Sequence, residues 1–168
     1  THPGEEELAL DAFKQSSLLG KERLIIVPRH PERFEYVADT VKKFAEENNV
    51  GFCRFSEDSR LLADIVLVDM MGELINIYAK SHLVILGGGF AAIGGHNPLE
   101  PAYFGVKLIS GTHIFNQKAS FEKVENSYFC AASELADLLS RHDELKNAQI
   151  HDLEDSIGEV ERGIKSLL

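Results

Sequence analysis

A glycine-rich run from Gly87 to Pro101 (GGGFAAIGGHNPLEP) is the feature that most constrains the fold of this chain. It follows the apolar segment Leu83 to Leu86 and leads through Asn97 and Pro98 into a predicted helix. Free N–H groups and the helix dipole attract anions at a helix N-terminus, and glycine lets the backbone come close to them. The run therefore predicts a strand, an anion-binding loop and a helix, although such loops also occur without a ligand.

Four short apolar runs divide the chain into alternating strand and helix patterns. They lack polar alternation, as expected for strands that are covered on both faces. Strands that alternate with helices in this way predict an α/β fold with a doubly wound, Rossmann-like parallel sheet. Ligands bind such sheets at the carboxyl ends of the strands. The runs are Leu24 to Val27, Ile65 to Val68, Leu83 to Leu86 and Val106 to Ile109.

Helix-spaced apolar residues and capping signals predict where helices begin and end. One helix is predicted to start near Glu5 and to stop at Gly20. The next has Pro31 in its first turn and is ended by Asn48, Asn49 and Gly51. Ser133 is predicted to be the N-cap of a later helix.

The last predicted helix, from about residue 153 to 168, carries an apolar seam with 4-3-4-3 spacing. We expect the seam to pack on its own domain. The alternatives are packing on an N-terminal domain outside this chain, or self-association with a second copy. The seam residues are Leu153, Ile157, Val160, Ile164 and Leu167.

The length and the net charge of the chain limit the number of domains and the kinds of partner it can have. A chain of 168 residues fits one domain over residues 1–168. Its formal net charge of -10 argues against a nucleic-acid partner and against a polybasic membrane surface. No apolar stretch approaches the roughly 18 residues that span a bilayer, so the chain is expected to be soluble. Cys53 and Cys130 lie in no metal-binding pattern and are expected to be reduced core residues.

Arg29 and His30 directly follow a predicted strand. A basic pair at the carboxyl end of a strand suits a phosphate or a carboxylate, because arginine offers a planar fork to either group. The alternative interpretation is a surface arginine beside a histidine that caps the next helix.

Four motifs occur together: Thr1-His2-x-Gly4-Glu5-Glu6, Pro28-Arg29-His30-Pro31-Glu32-Arg33-Phe34, Met71-Gly72-Glu73-Leu74 and His96-Asn97-Pro98-Leu99-Glu100. The set is far more specific than any one of them. Their order and spacing resemble the C-terminal half of the 3-deoxy-D-manno-oct-2-ulosonic acid (Kdo) transferases of lipopolysaccharide biosynthesis, from Thr1 to about Asn116. The resemblance implies the donor-binding half of a B-type glycosyltransferase that moves Kdo from CMP-Kdo to a lipid A precursor.

The same resemblance describes the parent protein. An N-terminal domain outside this chain would bind the lipid A precursor and supply the general base, so no catalytic residue is expected here and the domain alone should transfer nothing. The parent would act at the cytoplasmic side of the bacterial inner membrane. A strand precedes Thr1 in the family and is missing from this chain. No cofactor and no metal are expected, because the single phosphate of a CMP-sugar does not demand a metal ion.

The resemblance also implies roles for the motif residues. The nucleotide would lie against the turn Met71-Gly72-Glu73, with its phosphate near the backbone N–H groups. The alternatives are a helix start at Gly72 and an acid at Glu73 that favours the helix dipole. Three residues would lie on the interdomain side of the cleft, unless they belong to a frayed terminus: His2, Gly4 and Glu5.

Asn97 and Glu100 have a structural interpretation that needs no ligand. Asn97 as N-cap, Pro98 at the first helical position and Glu100 three residues after the cap form a capping box. The resemblance instead implies that Glu100 accepts both ribose hydroxyls, a task that suits a bidentate carboxylate. Asn97 can cap the helix in either case.

Two other classes fit parts of the sequence. A B-type protein that uses a UDP-sugar, either a transferase or a non-hydrolysing epimerase, would share the fold. A non-catalytic flavodoxin-like binding module would share the sheet, but the acidic cluster and the lysine that mark receivers are not seen. An NAD-binding role is disfavoured because G-x-G-x-x-G is not met.

Overall fold

The computed structural model describes residues 1–151, 158, 160–163 and 165. The chain divides into two compact units, Thr1–Met71 and Gly72–Leu168. Each unit is built around its own three-stranded sheet. The interpretation of residues 1–168 as one domain stays a prediction.

The first unit contains a parallel sheet with strand order β1-β3-β2. In the paired register, Ile25 of β1 and Cys53 of β2 both lie opposite Val66 of β3. Helix α1 precedes β1, and a 3-10 helix follows it. Helix α2 then connects this 3-10 helix to β2. The elements are α1 (Glu5–Gln15), β1 (Leu24–Ile26), a 3-10 helix (Pro31–Arg33), α2 (Phe34–Asn48), β2 (Phe52–Arg54) and β3 (Ile65–Leu67).

Helix α2 buries one apolar stripe against this sheet. Val37 and Val41 lie one turn apart and are fully buried together with Ile65 and Leu67 of the central strand. Leu10 of α1 belongs to the same core. The stripe follows from the spacing of three to four residues, which places side chains on one helix face.

The second unit contains a parallel sheet with strand order β4-β5-β7 and a short antiparallel pair of β6 and β8. Its strands are β4 (Leu83–Leu86), β5 (Lys107–Gly111), β6 (Val124–Glu125), β7 (Ser127–Cys130) and β8 (Gln149–Ile150). Its helices are α3 (Leu74–Lys80), α4 (Leu99–Tyr103), α5 (Lys118–Phe121), α6 (Leu135–Ser140) and 3-10 helices at Ala132–Glu134 and His142–Glu144.

The predicted α/β fold with parallel strands is confirmed. All four apolar runs contain strands, although Val27, Val68 and Val106 lie just outside them. Strands β2 and β7 were not among the predicted runs. Each carries a polar residue among its apolar ones, Arg54 in β2 and Ser127 in β7, which interrupts the apolar signal.

Two predicted helix boundaries are wrong. Helix α1 ends at Gln15 rather than Gly20, because Ser17 turns the chain with a φ of 63°. Ser133 lies inside a 3-10 helix and is not the N-cap; the Glu134 carboxylate accepts the N–H of Ala131 at 2.8 Å instead. The predicted end of α2 within Asn48, Asn49 and Gly51 is confirmed, since the helix ends at Asn48 and Asn49 adopts the left-handed conformation after it.

The last helix is described only in part. Val160 is 1% exposed and belongs to the core of the second unit. Leu153, Ile157, Ile164 and Leu167 of the predicted seam lie outside the described residues. Packing of this helix on another domain or on a second copy stays a prediction. Among the residues that the structure describes, no helix is long and apolar enough to cross a bilayer.

Candidate functional site

The first two motifs of the sequence meet in the first unit, beyond the carboxyl end of β1. The N–H of Arg29 donates to the carbonyl of Thr1 at 3.2 Å, and the nitrogen of Thr1 donates to the carbonyl of Val27 at 2.7 Å. The rings of His2 and His30 stand edge to face, with centroids 5.9 Å apart. The structure therefore brings together three residues that were predicted from separate motifs.

Gly4 and Glu5 form the turn between His2 and α1. Gly4 precedes the helix with a φ of 87°, a left-handed conformation that glycine adopts without strain. The Glu5 carboxylate accepts the N–H of His2 at 3.0 Å, and the Glu5 N–H donates to the His2 carbonyl at 3.0 Å. Gly4 and Glu5 thus fix the backbone of His2.

The side chains of this group differ in charge and in burial. Burial lowers the pKa of His2, which is 8% exposed, so its imidazole is neutral at pH 7. Arg29 and His30 are exposed. Because a guanidinium stays charged at all ordinary pH values, the group offers one permanent cation beside two imidazoles. Such a group can bind a phosphate or a carboxylate.

A buried ion pair stabilises this group. The motifs did not predict it. The Glu6 carboxylate accepts hydrogen bonds from both terminal nitrogens of Arg33, at 2.8 and 3.0 Å, and from Thr1 Oγ1 at 2.5 Å. Burial by itself would raise the pKa of Glu6, but these hydrogen bonds outweigh burial and lower it. The pair ties α1 to the residues just before α2.

The sequence carries a signal for Glu6. Its position shares a helix face with Ala9, Leu10 and Phe13, which are all buried. A carboxylate on an apolar face is costly unless a cation pairs with it. Such a residue therefore indicates a buried partner, which is Arg33 in the structure.

In the second unit, the glycine-rich run folds into a loop that is held by its own backbone. The N–H groups of Ile93 and Gly95 donate to the carbonyl of Gly88, at 3.1 and 3.0 Å. The N–H of His96 donates to the carbonyl of Gly87 at 3.2 Å. Gly88 and Gly95 have φ angles of 77° and 82°, so the sharp turns of the loop require glycine.

The end of β5 and the segment after it contact this loop. The N–H of Asn116 donates to the carbonyl of Gly94 at 3.0 Å, and its side-chain Nδ2 donates to the carbonyl of Ile93 at 3.0 Å. A Cβ on Gly111 would overlap the carbonyl group of Gly89. The two backbones touch at that point, so Gly111 and Asn116 are structural determinants of the loop.

Asn97 and Glu100 contact each other at the start of α4. Asn97 Oδ1 accepts the N–H of Leu99 at 3.0 Å, and Asn97 Nδ2 donates to Glu100 Oε1 at 3.1 Å. The predicted N-cap is wrong by one residue, since α4 begins at Leu99 and Pro98 is its N-cap, but Asn97 accepts the first N–H of the helix and also orients the glutamate. Glu100 is only 9% exposed.

The third motif lies where the first unit ends and the second begins. Met71 is 67% exposed. Gly72 has a φ of 86°, and Glu73 Oε2 accepts a hydrogen bond from Asn76 Nδ2 at 3.0 Å just ahead of α3. Gly72 and Glu73 thus lie directly before α3, and their contact with a nucleotide stays a prediction.

The predicted site residues fall into two groups that the structure describes separately. His2, Gly4, Glu5, Arg29 and His30 form the group of the first unit, and Gly72, Glu73, Asn97 and Glu100 belong to the second. The first unit also has an open groove of about 920 Å³ between α2 and β2. None of the motif residues lines that groove.

Comparisons with known proteins bear on the family. No family model matches the chain. A 3-deoxy-D-manno-octulosonic acid transferase of Haemophilus influenzae is 39% identical over 147 residues, which cover 84% of this chain and 33% of the relative. A 3-deoxy-D-manno-octulosonic acid transferase of Aquifex aeolicus is 36% identical over 154 residues, which cover 86% of this chain and 42% of the relative.

A solved structure is similar over almost the whole chain. It is the C-terminal CMP-Kdo binding domain of WaaA from Acinetobacter baumannii, with a TM-score of 0.71 and 25% sequence identity. The match covers 99% of this chain and 84% of that domain. The chain thus spans less than half the length of the two relatives and matches a C-terminal domain. The chain belongs to the family of 3-deoxy-D-manno-octulosonic acid transferases.

Proposed function

We propose that this chain is the donor-binding domain of a glycosyltransferase that moves Kdo from CMP-Kdo to a lipid A precursor. Family membership and the similarity to a CMP-Kdo binding domain support this proposal. The observation that carries it is that Arg29 and His30 of the second motif lie beside Thr1 and His2 of the first. This group is complementary in charge to the anionic part of such a donor. CMP-Kdo carries both a phosphate and a sugar carboxylate.

Each group of residues has a task in this proposal. Arg29 and His30 bind the phosphate or the carboxylate of the donor, and His2, Gly4 and Glu5 shape the edge of their group. Glu100 accepts hydrogen bonds from the two ribose hydroxyls, since a carboxylate can accept two adjacent donors. The turn Met71-Gly72-Glu73 offers backbone N–H groups to the nucleotide.

The chemistry follows from the charge of the leaving group. Transfer breaks the bond between Kdo and phosphate, so negative charge accumulates on the departing CMP. A guanidinium that is already in place stabilises this charge without reorganisation, which is where electrostatic catalysis is most effective. The acceptor hydroxyl requires a general base, which we assign to an N-terminal domain of the parent protein. The chain alone therefore binds donor but transfers nothing, and it needs no cofactor or metal.

Calorimetry with CMP tests this site. Arg29→Ala should weaken CMP binding about tenfold or more, because it removes a charge-assisted hydrogen bond. Glu100→Ala should weaken it through the ribose. Arg60→Ala is a matched control, since Arg60 is exposed and pairs with Asp58 rather than with a motif residue. Unchanged CMP binding in both Arg29→Ala and Glu100→Ala would refute the site.

The nucleotide base is tested in the same titration. UDP replaces CMP in a second series, since a UDP-sugar protein of the same fold would prefer it. Tighter binding of CMP supports the Kdo transferase assignment. Tighter binding of UDP would favour a UDP-sugar transferase or epimerase.

A further inference from the structure

The last described helical residues, 160–163, lie against α4 in the second unit. Val160 belongs to the same buried cluster as Leu99 and Ala102 of α4. Residues three positions apart share one face of a helix. Gly163 therefore faces the same surface as Val160, one turn farther along the chain.

Gly163 rests on the two polar residues at the start of α4. A Cβ at this position would lie 2.8 Å from Glu100 Oε1, 3.0 Å from Asn97 Nδ2 and 3.1 Å from Glu100 Cγ. Non-bonded carbon atoms pack best at roughly 3.5–4.0 Å, so these separations are too short for a side chain. Any residue other than glycine must displace the Glu100 carboxylate or lift the helix.

A second glycine in the same helix lacks this constraint. A Cβ on Gly158 would meet the Arg162 guanidinium at 3.6 Å, which is an ordinary contact. Glycine destabilises a helix interior relative to alanine, so an interior glycine needs a reason. Close packing on Glu100 supplies that reason at Gly163, whereas no described residue comes comparably close to Gly158.

We propose that Gly163 is a positioning residue for the Glu100 carboxylate. Asn97 holds Oε1 from one side, and the bare backbone at Gly163 closes the space beside the same oxygen. The carboxylate is thereby held in one orientation before ligand arrives. This inference rests on the proposed role of Glu100 in holding the ribose, and it makes the last helix part of the nucleotide site.

The experiment compares Gly163→Ala with Gly158→Ala, two equal changes in one helix. CMP affinity is measured by calorimetry and thermal stability by calorimetric melting. Gly163→Ala should weaken CMP binding about tenfold, because one misplaced charged acceptor loses most of a hydrogen bond. Gly158→Ala should leave CMP affinity unchanged and keep or raise the melting temperature. Glu100→Asp, which retracts the carboxylate by one methylene, is combined with Gly163→Ala in a double-mutant cycle.

The cycle separates positioning from a general effect on packing. If Gly163 acts through Glu100, Gly163→Ala should lose most of its effect on CMP binding in the Glu100→Asp background. Equal losses in both backgrounds, equal losses for both glycine variants, or full affinity in Gly163→Ala would each overturn the inference.

A readout without ligand keeps this inference distinct from the proposed function. The ¹³C resonance of the Glu100 carboxyl group should shift in Gly163→Ala and stay in place in Gly158→Ala, with no CMP present. If that shift occurs while Glu100→Ala binds CMP normally, the ribose role fails and the positioning contact stands. If Glu100→Ala loses CMP binding but the resonance does not shift in Gly163→Ala, the positioning inference alone is wrong.

Discussion

The side chains of Glu6 and Arg33 are withdrawn from water together, with 1% and 13% of their surfaces exposed. Removing one partner of such a pair leaves the other charge buried without compensation. The pair joins residues that are far apart in sequence, and both of its side chains contact Thr1, the first residue of the first motif. Its loss should therefore affect both the stability of the first unit and the placement of Arg29.

Arg33→Ala should lower the free energy of unfolding by about 3 kcal/mol, because the Glu6 carboxylate stays buried without its cation. Urea denaturation measures the change. Arg60→Ala is the control, since this exposed guanidinium pairs with Asp58 at the surface and its loss should cost far less than that of Arg33. Similar losses in both variants would show that the buried pair contributes no more than a surface pair.

Stability should fall in acid partly through Glu6. Its pKa is lowered from the usual value of 4.5, so the folded state binds fewer protons than the unfolded state in this pH range. The contribution is complete above the unfolded pKa and is lost as the pH falls through the folded pKa. Urea unfolding at pH 7, 4.5 and 3 should show a smaller acid loss for Glu6→Gln than for the unmodified chain. An identical pH dependence would contradict the assignment.

The two cysteines should react at different rates. Burial raises the pKa of Cys130 to about 11, and it also raises the pKa of the half-buried Cys53. Because the thiolate is the nucleophile, both should react slowly with iodoacetamide at pH 8, and Cys130 should react only after unfolding. Mass spectrometry with and without urea measures this. Rapid labelling of Cys130 in the native chain would contradict its buried position.

The glycine loop should depend on Gly111 more than on glycines in open positions. Gly111→Ala forces the backbones of Gly111 and Gly89 apart, so we expect a loss of about 2–3 kcal/mol. Gly105→Ala is the control, because a Cβ there meets no atom of the described residues within 4 Å and its φ of 65° adds strain of about 1 kcal/mol. Asn116→Ala should cost about 1 kcal/mol through the lost bond to Ile93. Equal losses for the two glycine variants would refute the close approach.

The sequence predicted the parts of the fold that depend on local pattern. Buried runs such as Ile65 to Val68 and the stripe of α2 follow from hydrophobic periodicity, and the end of α2 follows from Asn49. Strands β2 and β7 were missed because a polar residue, Arg54 or Ser127, interrupts each short apolar run. The cap at Ser133 was wrong because a 3-10 turn and Glu134 satisfied that helix start instead.

The sequence predicted site residues only where the residue type and its position in a motif indicate ligand binding. Arg29, His30 and Glu100 could be selected from the chain because they stand beside strand ends and glycines. Arg33 lies in the second motif, but its pairing with Glu6 could not be predicted, and neither could the role of Gly163, because each depends on a partner that is distant in sequence. The available signal for Arg33 was the carboxylate of Glu6 on an apolar helix face. The available signal for Gly163 was a glycine in a helix interior.

The two hydrogen bonds of Thr1 have a consequence for its neighbourhood. Its nitrogen reaches Val27 and its carbonyl receives the N–H of Arg29, so Thr1 bonds to the residues on either side of Pro28, as in the ladder of a parallel sheet. Polypeptide joined ahead of Thr1 would be steered into register alongside β1. The same two bonds that set the first motif beside Arg29 thus prescribe the direction from which any preceding segment must arrive.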